Sequence, residues 1–130
     1  MPVNVKAFNS KINKFTKERV PEEVNLIKKK IGMQLLDRIV MMTPVDTGRA
    51  RGNRQTSIDD PVSSVLDTTS KSGQTSINKG VRVIERVTSG QSIWICNNLP
   101  YIMRLEHGWS QQAPAGMLSV ALAEVGSQFA

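Results

Sequence analysis

Apolar residues in the first third of the chain recur at intervals of three and four: Phe8, Ile12 and Phe15, then Val24, Ile27, Ile31, Leu35, Ile39 and Met42. That spacing lines one face of a helix. Pro21 breaks the run, because its ring disfavours the helical region for Val20 and it has no amide to donate. Pro21-Glu22-Glu23 is at the same time a sound helix start, with Pro in first position and two carboxylates near the positive end of the dipole. The pattern predicts one helix ending near Arg19 and a second from Pro21 to Met42, together a helical arm over residues 1–42.

Thr43-Pro44 stops the second helix by the same steric rule. Asp46 can accept backbone hydrogen bonds from Thr47 or Gly48, and Gly48 tolerates a positive φ, so a sharp reversal is expected that leaves Arg49 and Arg51 opening a strand over Gly52–Ile58. That strand is polar on both faces, which suits an edge position or cover by a neighbour. Asp59–Ser76 follows, eighteen residues with only Val62, Val65 and Leu66 apolar. It is expected to be a flexible loop that orders on assembly.

Ser76–Val87 fits two periods. Ile77, Val81 and Ile84 suit a helix capped by Thr75 or Ser76, while Val81, Val83 and Val87 suit a strand; we read it as a helix. Ser89-Gly90 ends it, and Ile93-Trp94-Ile95 marks the clearest strand, within Ser92–Asn97. Pro100 opens a short helical turn through Glu106, Gly108 closes it, and Ser110 to Ala113 runs extended into Pro114. Met117, Leu118, Ala121, Leu122 and Val125 form one stripe of a final helix. The elements predict an α+β fold in one domain, residues 1–130: a long Pro-broken N-terminal helix packed on a small antiparallel sheet, with short helices near the C-terminus. A two-stranded sheet is marginal alone, so a third segment or a neighbouring chain is expected to complete it.

Composition narrows the chemistry. At 130 residues, 39% apolar and 5% aromatic, the chain supports one small core. Its net charge of +6 sits in the first half: residues 1–54 hold twelve Lys and Arg against five Asp and Glu, and residues 55–130 five against six. A basic half suits nucleic acid, an anionic surface or an acidic protein ring, and ordinary solvated helix faces give the same count. Lys28-Lys29-Lys30 and Arg54 are the candidate contacts to nucleic acid or an acidic partner. Aromatic residues do not interleave them as in a single-strand binder. Cys96 is alone, so no internal disulfide or CxxC motif exists, and within its strand it reads as a small buried hydrophobe. The N-terminus lacks a signal-peptide core, and no run reaches the roughly 18 apolar residues of a membrane span. His107 is the single histidine, with no nucleophile and orienting acid in pattern around it. No phosphate-binding glycine motif is present. Neither catalysis nor a metal or other cofactor is expected.

Two segments remain, dense in residues that shape backbone and make directional contacts: Thr43 to Arg49, and Asn97 to Met117. Such stretches build surfaces for partners. The candidate interface residues are Thr43, Pro44, Asp46, Thr47, Gly48, Arg49 and Arg51 from the first region, and Tyr101, Glu106, Gly108, Trp109, Ser110, Gln112, Pro114, Gly116 and Met117 from the second. A carboxylate at Glu106 among buried neighbours needs a partner, and Arg49 or Arg51, joined by the Tyr101 hydroxyl, is the natural one. Trp109, between Gly108 and Ser110, reads as a lid over the core or an anchor for another chain.

The turn T-P-V-D-T-G-R after a long helix, followed by N-N-L-P-Y-x-x-x-L-E-x-G-W-S-x-Q-A-P-x-G-M near the C-terminus, resembles the neck or tail-completion proteins of tailed bacteriophages. The resemblance spans roughly Ile31 to Leu118. That family often carries a Trp where Arg54 stands here, a departure that bears on the packing of the first strand. The resemblance implies a structural virion protein at the head-to-tail junction, made in the host cytoplasm and assembled as a homo-oligomeric ring, six subunits in expectation. Its partners would be the head connector or head-closure proteins and the tail terminator or tail-tube proteins, with non-specific DNA contact in the lumen and no membrane. Without the resemblance, the basic half alone suggests a small DNA-binding module.

Overall fold

The computed structural model describes residues 20–108, 110–113 and 115–128. The first predicted helix, with Phe8, Ile12 and Phe15, lies outside the described residues, as do Trp109 and Pro114. In order come α1 (Val20–Met42), a short helical turn α2 (Arg49–Gly52), β1 (Gln55–Ile58), α3 (Gln74–Glu85), β2 (Ile93–Cys96), α4 (Ile102–Glu106) and α5 (Leu118–Gln128). This is the expected α+β class. β1 and β2 form an antiparallel pair in which Gln55 faces Cys96 and Ile58 faces Ile93.

α1 takes Pro21 in its first turn, where the missing amide has no intrahelical acceptor to lose. Its buried face, however, is Leu36, Ile39 and Val40, while Val24 and Ile27 are 56% and 51% exposed. The expected stripe through Val24 and Ile27 is therefore corrected: only the C-terminal half of α1 meets the core. There Leu36 and Val40 pack with Ile84 of α3, and Met33, Ile77, Val81, Ile93 and Ile95 close around them. Each such aliphatic side chain contributes on the order of 1.5–3 kcal/mol on full burial. Gly80 permits the approach, since a Cβ there would collide with Leu36 Cδ2 and lie 2.6 Å from Thr56 Oγ1.

Polar contacts hold the other half of α1. Asn25 Nδ2 donates to the Val87 carbonyl at 3.0 Å, Lys28 Nζ to that of Gln91, and Lys29 Nζ to that of Glu85 at 2.9 Å. These carbonyls lie at and beyond the C-terminus of α3, where unpaired acceptors and the negative dipole end favour cations. Lys28 and Lys29 thus each give a donor to the fold itself.

The first strand starts at Gln55, not Gly52, because the chain winds on after the turn. Gly48 stands at φ 88, and the amides of Gly52 and Asn53 return to the carbonyls of Gly48 and Arg49. Arg49 and Arg51 therefore sit on a helical turn rather than a strand.

Residues 59–73 form neither helix nor strand, and α3 begins at Gln74, two residues before the expected loop end. Bonds within the chain set their path. Leu66 N donates to Asn53 Oδ1 at 2.7 Å, Gln55 Nε2 to the Ser64 carbonyl at 2.8 Å, Asn98 Nδ2 to that of Val62 at 2.7 Å, and Ser70 N to that of Gly48 at 2.9 Å. Residues 62–66 are so held at the Gln55 end of β1 by the side chains of Asn53, Gln55 and Asn98.

α5 buries Ala121 and Val125, with Met117 before it, but leaves Leu118 and Leu122 39% and 58% exposed, a narrower stripe than predicted. It packs on α1, where Arg38 Nε pairs with Glu124 Oε2 at 3.1 Å.

Candidate partner-binding site

The turn after α1 starts from a buried Thr43, whose hydroxyl donates to the Ile39 carbonyl at 2.6 Å and whose amide bonds the last carbonyls of the helix. Arg51 completes that end. Its guanidinium donates to the carbonyls of Thr43, Lys71 and Met41, each at 2.8 Å. A planar fork with several donors matches a cluster of helix C-terminal acceptors. With its nitrogens held there, Arg51 is not the partner of Glu106, and the expected clamp between them is corrected.

Glu106 instead caps α5. Its Oε2 accepts from the amides of Met117 and Leu118 at 2.9 Å each, and its Oε1 from the Ser119 amide at 3.2 Å and hydroxyl at 3.3 Å. Four donors converge on a carboxylate at a helix N-terminus, the favourable end for negative charge. Partial desolvation pulls the Glu106 carboxyl up, but the hydrogen bonds from Leu118, Met117 and Ser119 outweigh it and hold the group below its ordinary value. Gly116, at φ 85, makes the approach possible: a Cβ there would strike the Glu106 carbonyl and lie 2.9 Å from Oε1.

A buried cation that feels the charge of Glu106 is Arg54. Only 5% exposed, it reaches Thr43 Oγ1 with Nε at 3.4 Å and Met117 Sδ with Nη2 at 3.3 Å, so it touches both motifs. Desolvation lowers its pKa to about 10, against the attraction of Glu106 and of the half-buried Cys96 thiol. A guanidinium this deep cannot meet phosphate or an acidic partner, which corrects that expectation for Arg54. Sequence reasoning took Arg54 for a surface residue.

Two amides that the sequence did not single out complete the joint. Asn97 Nδ2 donates to the Ala50 carbonyl at 2.9 Å, and the Asn53 side chain links the Arg49 carbonyl to the Leu66 amide. Gln112, which was singled out, pairs with the backbone of Val45 in both directions, at 2.9 Å each way. The sequence signal for the asparagines was their place flanking the strands, where an amide can both donate and accept.

What remains outward is a cleft of about 220 Å³ walled by Pro44 to Ala50 on one side and by Tyr101, Leu105, Ser110 and Gln112 on the other. Asp46, Thr47 and Arg49 are exposed at its rim, and Tyr101 and Met103 are 37% and 61% exposed. Tyr101 stands on this rim rather than in the predicted clamp. Gly108, at φ 83, ends α4. A half-buried Ser110 accepts the Gln112 amide at 3.2 Å. The mixture of turn backbone, an exposed ring and both charge signs suits protein recognition. His107 is exposed, and among the described residues no group of three His, Cys, Asp or Glu is placed to hold a metal ion. No helix among them is long and apolar enough to cross a membrane. No protein-family model, curated protein or solved structure matches the chain.

Proposed function

We propose that this chain is a structural virion protein of a tailed phage, a neck or tail-completion subunit that joins the tail to the head connector around the DNA channel. Its action is association without chemistry. The observation that carries the reading is the convergence of the two motifs behind the resemblance. Gln112 binds Val45, Arg54 spans Thr43 and Met117, and the motifs together wall one cleft with Asp46, Thr47, Arg49 and Tyr101 outward. In this reading the motif residues divide by role. Thr43, Arg51, Glu106, Gly116 and Met117 build the surface, and the exposed set meets a neighbouring subunit, a connector or a tail protein. A ring of six is the expected assembly.

Light scattering on the pure protein, then after mixing with connector or tail-tube protein from the same virus, tests this. A ring, or a monomer that becomes a ring on mixing, is the expected result. A monomer that ignores both partners yet binds free duplex DNA with a steep salt slope would replace the reading with a small basic DNA-binding module. The engagement of Lys28, Lys29 and Arg54 inside the fold argues for the first outcome.

A further inference from the structure

α3 carries a row of cations that the fold does not use. Thr75, Lys79, Arg82 and Arg86 recur at spacings of four, three and four, which aligns them on one face of the helix, and all four are exposed. Arg86 directly follows the last residue of α3 and keeps a helical backbone. The buried residues Ser76, Gly80 and Ile84 occupy the other side. Residues 55–130 hold five Lys and Arg against six Asp and Glu, so composition hid this row, which takes three of the five.

No acid answers these cations within the chain. Among the described residues the ion pair is Arg38 with Glu124, and Glu85, the one acid of α3, stands one turn from Arg82 without pairing to it. Like charges three and four residues apart repel, so Lys79 with Arg82 and Arg82 with Arg86 weaken the helix that bears them. An ordinary solvated face mixes the two signs. This row works against the fold, and an external anion would relieve it.

Beside the row lies a cleft of about 300 Å³ between α3, β1 and residues 62–70, and Thr75 and Lys79 belong to both. Its walls hold two cations, Lys79 and Arg54, with five threonines and serines and, among the described residues, no carboxylate; Val62, Leu66 and Val83 are the apolar members. Arg54 is too deep to touch an occupant, which leaves Lys79 as the reachable charge.

We propose that this face docks an acidic segment of a partner protein, with one carboxylate at Lys79 beside the cleft and others along Arg82 and Arg86. Lys79 to Arg86 rises roughly 10 Å, about two helical turns, so carboxylates spaced one turn apart match the row. Duplex DNA fits less well. Three cations offset about three phosphates, a salt slope of only about −2.7, where proteins that hold DNA make roughly 6–10 such contacts. Glu22 and Glu23 also lie within one turn of Asn25, whose side chain holds the Val87 carbonyl at the Arg86 end of α3, so a phosphate backbone running on past Arg86 meets like charge. A short acidic segment can stop there. The inference goes beyond the neck reading and does not rest on it, since it concerns a face apart from the cleft at Pro44 to Ala50.

Fluorescence anisotropy with the full-length protein tests it. The probes are a labelled alanine-based helical peptide with glutamates one turn apart and a short duplex DNA. Saturable peptide binding is expected, weakened about fivefold or more by Arg82→Gln/Arg86→Gln and less than about twofold by Lys30→Gln/Lys71→Gln, which removes the same charge from exposed positions outside the row. Equal loss in the two variants overturns the proposal, because it marks general attraction to a basic protein. Absence of saturable peptide binding overturns it as well. Duplex that binds more tightly than the peptide and weakens with the same row variant replaces the acidic partner with a phosphate backbone. Urea unfolding of Arg82→Gln/Arg86→Gln should give a midpoint at or above that of wild type, and a clear fall would show that these cations hold the fold instead of a partner.

Discussion

At the scale of single residues, Glu106 and Arg54 show how one charge is useful and another costly. Glu106 meets four donors at the start of α5, so its folded pKa lies below its unfolded value. Its contribution is therefore present above the ordinary carboxylate value of 4.5 and is lost as pH falls through the lower, folded pKa. Glu106→Gln should cost about 0.5–2 kcal/mol at neutral pH, the range for a lost helix cap, and flatten the acid limb of a stability-pH curve from urea unfolding. Arg54 carries a charge that desolvation disfavours, yet its long side chain fills the space between Thr43 and Met117. Arg54→Met should fall within about 1 kcal/mol of wild type or above it, because a buried charge replaced by an apolar chain of similar length loses little. Arg54→Ala leaves a cavity and should lose about 2–4 kcal/mol in the same assay.

At the scale of elements, two helical glycines predict opposite outcomes. Gly80 sits where α3 crosses α1, with Leu36 Cδ2 and Thr56 Oγ1 in the way of any Cβ. Gly126 in α5 has nothing within 4 Å of that position. Thermal unfolding should show Gly80→Ala losing about 1–3 kcal/mol through overpacking, and Gly126→Ala gaining about 0.5–1 kcal/mol through helix propensity. Element types were largely legible beforehand. The stop at Thr43-Pro44 and the strand at Ile93 follow from rules that act between neighbours in sequence, whereas the helix expected over Ser76–Val87 fitted a strand period as well and begins earlier, at Gln74. The short turn α2 was not, because Arg49-Ala50-Arg51-Gly52 has no strong preference, and the left-handed Gly48 before it and the bonds of Asn53 after it decide its path.

For the whole molecule, the basic half of the chain proves to be partly internal scaffolding. Lys28 and Lys29 hold carbonyls at the end of α3, and Arg51 and Arg54 hold the turn after α1. Lys28→Gln/Lys29→Gln should lower Tm by a few degrees, the size of about 1 kcal/mol in a domain of this length, because the lost bonds fasten α1 to α3. Duplex DNA binding measured across salt concentrations should not change, whereas a nucleic-acid module would lose about two units of salt slope.

The sequence by itself determined most element types, that the class is α+β, and that the segments Thr43 to Arg49 and Asn97 to Met117 are dense in residues that make directional contacts. Backbone sterics, period and turn residues are local, so they can be read in order along the chain. Only the tertiary structure decided which face of α1 is buried, that Glu106 caps a helix instead of clamping Arg51, and that Arg54 is inside. Those outcomes depend on solvent exclusion and on acceptors brought from distant positions, such as Met117 beside Arg54 and Gln91 beside Lys28. An arginine before a polar strand and a lysine on a helix look alike in sequence whether water or protein lies at their tips. The free energy that separates the two cases arises from desolvation, and desolvation is a property of the packed whole.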